Sequence, residues 1–204
     1  MFYGPLHFLL IREIGRRLRA TGGARTLLDE DATVVDLGCG TGVAGAAWVT
    51  ASGCRARVVG IDRHPWALQE AARTYRDFGI SASVRKSDLA TSELPRQSAA
   101  FLAAFTLNEL PDGVRDQLMT TLLGRTTLVD RAKARASLLV VEPLAGFVAP
   151  WWDRWRRTFE GAGGRADEWR IQVELPPILR KLDRAAGLDH RELTGRSLWL
   201  GSST

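Results

Sequence analysis

The sequence predicts an α/β chain: a doubly wound, mostly parallel sheet with helices on both faces and an antiparallel strand at one edge. Three observations carry this expectation. Apolar runs of strand length alternate with segments of helical period along the chain. The fifth of those runs is apolar from Leu138 to Val141, as strands covered on both faces are. The first of them feeds directly into a glycine-rich turn. Strands joined through helices imply parallel pairing with right-handed crossovers.

Each element has its own signal. From Pro5 to Arg19 the apolar residues Ile11, Ile14 and Leu18 recur at helical spacing, while Arg12, Arg16 and Arg19 line a neighbouring face. Thr21-Gly22-Gly23 ends that helix. Thr33 to Leu37 reads as a buried strand, Val43 to Ala51 as a helix and Ala56 to Ile61 as the second strand. Pro65 to Tyr75 is a helix with proline in its first turn, followed by a short strand from Ser83 to Lys86. Ala99 to Phe105 is the fourth strand, Gly113 to Leu123 a helix and Ser137 to Val141 the fifth strand. Pro150 to Glu160 and Pro177 to Ala186 read as helices, and Ser197 to Gly201 as the final strand, expected antiparallel at the sheet edge. Between Gly161 and Glu174 helix, loop and strand signals overlap. One domain is expected over residues 1–204, with an amphipathic helix in 1–25, a core in 30–145 and a substrate-side part in 146–204.

Composition narrows the class. With 45% hydrophobic and 25% charged residues and only 8 prolines in 204 residues, the disordered and fibrous classes do not fit. The two cysteines, Cys39 and Cys54, form no paired spacing, which argues against a disulfide framework or a zinc site and suits a reducing cytoplasm. The opening Met1 to Ile11 lacks a basic segment, its apolar run ends at Arg12 and no later stretch reaches membrane-spanning length. Neither a signal peptide nor a membrane helix is expected. A net charge of +5 favours anionic partners, nucleic acid among them.

The sequence Val35-Asp36-Leu37-Gly38-Cys39-Gly40-Thr41-Gly42 stands after a strand and before a helix, the context that a Rossmann-like nucleotide-binding turn requires. Glycine lets the backbone approach a ligand, and the N–H groups of the turn and of the following helix can donate to it. Asp62, with Arg63 beside it, ends the second strand, where an acid can accept bonds from ribose hydroxyls. Asp88-Leu89 follows the third strand. Each acid has an alternative: Asp62 as a cap before Pro65, and Asp88 as a solvated turn residue. Cys39 reads as a small packing residue.

These residues resemble the class I S-adenosylmethionine-dependent methyltransferases over roughly residues 30–145. The resemblance implies S-adenosylmethionine as cofactor, with Asp36, Gly38, Cys39, Gly40 and Gly42 around its methionine part. It also implies Asp62 and Arg63 at the ribose, Asp88 and Leu89 at the adenine, and Thr106 among the cofactor-binding residues. Nicotinamide enzymes more often keep a G-x-G-x-x-G spacing, whereas here the third glycine comes two residues after the second.

In methyl transfer from a sulfonium the cofactor is already activated, so the protein mainly aligns the acceptor. The fourth strand leads into Thr106-Leu107-Asn108-Glu109-Leu110-Pro111, where Asn108 and Glu109 are the catalytic candidates. An amide oxygen can accept from an acceptor amine, and a carboxylate can position or deprotonate a nucleophile. The alternative is a turn and cap before the helix at Gly113. Together with Leu138 to Pro143 and Gly146-Phe147, this segment is similar to the methyltransferase-like family that associates with the small ribosomal subunit. That family carries a cysteine set attributed to an iron–sulfur cluster. This chain has no cysteine after Cys54, so no cluster and no metal are expected.

Between Pro150 and Arg170 tryptophans and arginines interleave. Trp151, Trp152 and Trp155 suit either a lid that stacks on the acceptor or a buried stripe at helical spacing. Arg12 and Arg16 are candidates for phosphate contacts. The expected acceptor is ribosomal RNA of the small subunit. A small aromatic or amine metabolite is the alternative, and a third reading is an assembly or binding factor with little turnover.

Overall fold

The computed structural model describes residues 3–21, 28, 31–94, 100–127, 136–144 and 149–201. Gly146-Phe147 lies outside them. Seven described strands form one sheet: β1 (Thr33–Leu37), β2 (Arg57–Asp62), β3 (Ala82–Lys86), β4 (Ala100–Ala104), β5 (Ser137–Glu142), β6 (Arg165–Gln172) and β7 (Glu192–Leu200). Their spatial order is β3-β2-β1-β4-β5-β7-β6. The first five pair in parallel, with Asp36 beside Gly60 of β2 and Leu102 of β4. β7 runs antiparallel to both β5 and β6.

The antiparallel edge therefore holds two strands, and the final strand of the sequence is the inner one. β6 falls within the segment where the sequence signals overlapped. Only Trp169 and Ile171 are buried along it, so its period-2 pattern is too short to stand out.

Six described α-helices cover the sheet: α1 (Tyr3–Thr21), α2 (Val43–Ser52), α3 (Pro65–Asp77), α4 (Asp112–Thr127), α5 (Trp152–Gly161) and α6 (Pro177–Ala185). Alternation along the strands divides the core in two. Val34, Val58 and Leu139 face α1, α2 and α3, whereas Val35, Phe101 and Leu138 face α4 and α5. No described helix is long and apolar enough to cross a membrane.

α1 buries Leu6, Leu10, Ile11, Ile14 and Leu18, a stripe at three- and four-residue spacing. Burial of each such side chain is worth about 1.5–3 kcal/mol, so the helix is tied to the domain by its stripe. It rests on α2, whose Ala44, Gly45, Ala46 and Ala47 allow close approach. α1 begins at Tyr3, two residues before the Pro5 expected from sequence, and those residues belong to the turn that reaches the sheet's carboxyl edge.

The lid reading of the tryptophans is corrected by their burial. Trp151, Trp152 and Trp155 are all 5–6% exposed and pack with Phe159 against the second core face. Arg115 lies 5.0 Å over the Trp151 ring, Arg196 lies 4.4 Å over Trp152, and the Trp155 indole N–H donates to Asp116 at 3.0 Å. The arginines that interleave with these rings in space thus serve packing through cation–π contacts. None of the three rings is free to cover an acceptor.

Candidate functional site

The carboxyl ends of β1, β2 and β4 converge on a cavity of about 390 Å³, within the range of small-molecule sites. Its floor is the turn after β1. Gly38 has φ +63°, and a Cβ there would stand 2.4 Å from Cγ2 of Thr106, so only glycine fits between the two strand ends. Gly40 has φ +51° and open space where a Cβ would be, which leaves its backbone accessible to a ligand. The Thr106 hydroxyl bonds to the Leu37 carbonyl at 3.1 Å and locks the β4 exit onto the turn.

Asp62 supports the turn from β2. Its Oδ2 accepts from the Gly40 N–H at 2.9 Å and its Oδ1 from the His64 N–H at 2.8 Å, while the residue also lines the cavity. Asp88 lines the opposite end and accepts from the Ala90 N–H at 2.9 Å, so it is a turn former and a cavity residue at once. Arg63, Leu89, Thr106 and Glu109 share this wall. So does Cys39, which is 3% exposed; burial first, and then the Asp36 and Asp62 carboxylates, push its thiol pKa up. It is a packing residue rather than a nucleophile.

Two motif residues lie beneath the cavity instead of around it. Asp36 is 1% exposed, and its Oδ2 accepts from the Gly45 N–H at 3.0 Å and the Tyr75 hydroxyl at 2.8 Å. Burial pushes its pKa up to about 6, against the pull of those two bonds. Gly42 packs on Ala71 and Tyr75 of α3. Asp36 braces the turn from below because even-numbered positions of β1 face α2 and α3, and Gly42 does so from the N-cap of α2. Asn108 is also off the wall. It sits in a single 3-10 turn, Leu107–Glu109, with its Oδ1 buried and unpartnered among the described residues. Glu109 shares this turn and is exposed at the cavity.

Arg12 and Arg16 do not line the cavity. The Arg12 guanidinium lies 5.6 Å over Phe8, and Arg16 faces Glu13 at 3.7 Å. Arg19 donates to the Ser52 carbonyl at 3.0 Å.

Three functional features were not read from the sequence. The first turn of α1 closes one side of the cavity with Tyr3, Gly4 and His7. The His7 ring stacks on Phe105 at 3.9 Å between centroids and 22° between planes, and Tyr3 follows at 6.2 Å on His7. Phe105 takes φ +56°, a conformation that costs a side-chain-bearing residue of order 1–3 kcal/mol, and its N–H is held by the Val141 carbonyl at 2.8 Å. Last, Glu142 at the end of β5 is fully buried. Its Oε1 accepts from the Leu107 N–H at 2.8 Å, and the Asn108 and Thr106 N–H groups also favour its charge. Burial outweighs these bonds and the nearby Arg196, pushing the Glu142 pKa up to about 7. A lone acid closing an otherwise apolar strand was the available signal.

Comparison with known proteins finds a domain match and a shared fold. Residues 34–125 match the methyltransferase domain family, a span that runs from β1 into α4 and contains the turn, Asp62 and Asp88. No curated protein matches the chain. The magnesium protoporphyrin IX methyltransferase of Synechocystis PCC 6803, solved with bound S-adenosylmethionine, superposes with a TM-score of 0.55 at 16% identity, covering 97% of this chain and 80% of that one. The precorrin-6y C5,15-methyltransferase of Geobacter metallireducens gives 0.54 at 12% identity, covering 90% of this chain and 87% of the other. The YcgJ protein of Bacillus gives 0.55 at 9% identity, covering 94% and 98%. These likenesses concern the fold. The matched span is a methyltransferase domain, and it contains most of the residues that line the cavity.

Proposed function

We propose that this chain is an S-adenosylmethionine-dependent methyltransferase that acts on a small acceptor bearing an amine or hydroxyl on a flat ring, admitted beside Tyr3, His7 and Phe105. The observation that carries the reading is the ring stack built from α1 and the β4 exit, which gives the cavity an aromatic wall. Flat rings pack well against such walls in offset or edge-on arrangements. The cavity suits the cofactor. Gly38 and Gly40 would meet its methionine part, Asp62 its ribose hydroxyls and Asp88 its adenine amine, and the open space above Gly40 leaves room for that approach. The cofactor supplies an activated methyl group, so the chain's own residues have to bind, align and exclude water.

Ribosomal RNA of the small subunit is the second reading. It is favoured by the net charge of +5 and by Arg16, 65% exposed on α1. Local partners of Arg12, Arg16 and Arg19 place it after the small acceptor. The test incubates the protein and radiolabelled S-adenosylmethionine with matched ribosomal subunits, free RNA, protein and small metabolites. Label in the metabolite fraction supports the first reading; label in the subunits replaces it with the second.

A further inference from the structure

His7 combines three properties that the cofactor cradle does not require. It lines the cavity, its ring stacks on Phe105 at 3.9 Å with the Tyr3 ring 6.2 Å away, and neither of its nitrogens hydrogen-bonds another described residue. The ring is half-buried and its nitrogens are accessible rather than sealed inside the fold. A ring held by stacking with its nitrogens left open is arranged to bond something that enters the cavity.

We infer that His7 is a catalytic residue, the base that takes the proton from the acceptor's N–H or O–H; this rests on the small-acceptor reading above. The acceptor's lone pair forms the bond to the methyl carbon as the methyl–sulfur bond breaks, its electron pair passing to sulfur. The acceptor's proton goes to the open imidazole nitrogen, and the imidazolium returns it to water after product leaves. Charge balances, because the cationic sulfonium becomes a neutral thioether and one proton is released.

The surroundings fit a neutral imidazole. Burial holds the His7 pKa below the ordinary value of 6.5, so the ring is unprotonated at neutral pH. The other charged or titratable groups on the wall are Asp62, Arg63, Asp88, Glu109, Tyr3 and Cys39. None of the described acids pairs with His7, whereas His190 is paired with Asp183 at 2.6 Å. Glu109 shares the wall but is exposed.

The test uses the full chain, tritiated S-adenosylmethionine and the small-metabolite fraction as acceptor probe. The variants are His7→Phe, which keeps a stacking ring, and His7→Gln, which keeps a polar group. Expected are a wild-type rate that falls tenfold per pH step below the His7 pKa, and a loss of about a hundredfold or more in both variants together with that acidic limb. Binding of S-adenosylhomocysteine, read by calorimetry, should persist in both variants and show that they are folded. A second readout needs no turnover: NMR titration of the wild type should show one imidazole with a pKa below 6.5 that is missing from His7→Phe. Variants with wild-type rate and pH profile, or a His7 resonance titrating at or above 6.5, overturn the assignment and leave the small-acceptor reading standing. Wild-type label reaching only RNA or protein, or nothing, overturns that reading and this one with it.

Discussion

Replacing Glu142 by Gln is expected to change how stability depends on pH. The side chain is fully buried, and its pKa is pushed from the ordinary 4.5 to about 7. Each tenfold change in proton affinity is about 1.4 kcal/mol, so the shift amounts to about 3 kcal/mol. The sign follows from proton binding. Between pH 4.5 and 7 the folded chain holds a proton at Glu142 that the unfolded chain has lost. The stabilisation is therefore complete below the unfolded pKa and is lost as pH rises through the folded one. Gln keeps an oxygen to accept from the Leu107 N–H but cannot ionise. Urea unfolding at a series of pH values from about 4.5 to about 8 should show the Gln variant gaining about 3 kcal/mol on the wild type across that window. Asp36, also raised, titrates in both proteins and cancels in the difference. A difference that stays flat with pH would mean that Glu142 ionises like an exposed carboxyl, and the burial argument would fail.

Asp62→Ala should weaken S-adenosylhomocysteine binding by about 1–3 kcal/mol in calorimetry, since it removes an acceptor from the cavity wall and also frees the Gly40 N–H. Ile14→Ala should cost about 2–5 kcal/mol in urea unfolding, because Ile14 is fully buried in the α1 stripe and its loss leaves a cavity. If RNA is the acceptor, replacing Arg12, Arg16 and Arg19 together by Ala should flatten the log–log salt dependence of RNA binding by about two to three. An unchanged slope would separate α1 from any phosphate contact.

Local patterns were legible in the sequence. The β1 run, the glycine turn and the acid ending β2 each lie within a few residues, and the turn conformation demands glycine at Gly38. The alternation of apolar runs likewise yielded the parallel part of the sheet. What escaped was built from distant segments. His7 and Phe105 meet only because α1 crosses above the β4 exit, a contact that no spacing encodes. Tryptophans beside arginines were ambiguous for a related reason: the same pairing makes a ligand platform when exposed and a core packing unit when buried, and the choice depends on Arg115 and Arg196 from α4 and β7. Asp36 and Gly42 show a subtler limit. The motif marks the turn, but parity along β1 turns Asp36 towards Tyr75, and the start of α2 seats Gly42 against α3.

The same helix that walls the cavity is also part of the core, and this restricts how the cleft can admit anything. Lifting α1 as a unit would expose Leu10, Ile11, Ile14 and Leu18, about 6–12 kcal/mol of burial and as much as the whole net stability of an ordinary domain. The α1 wall is thus fixed, and the open side of the cleft is the rim where Arg63, Asp88 and Glu109 are exposed.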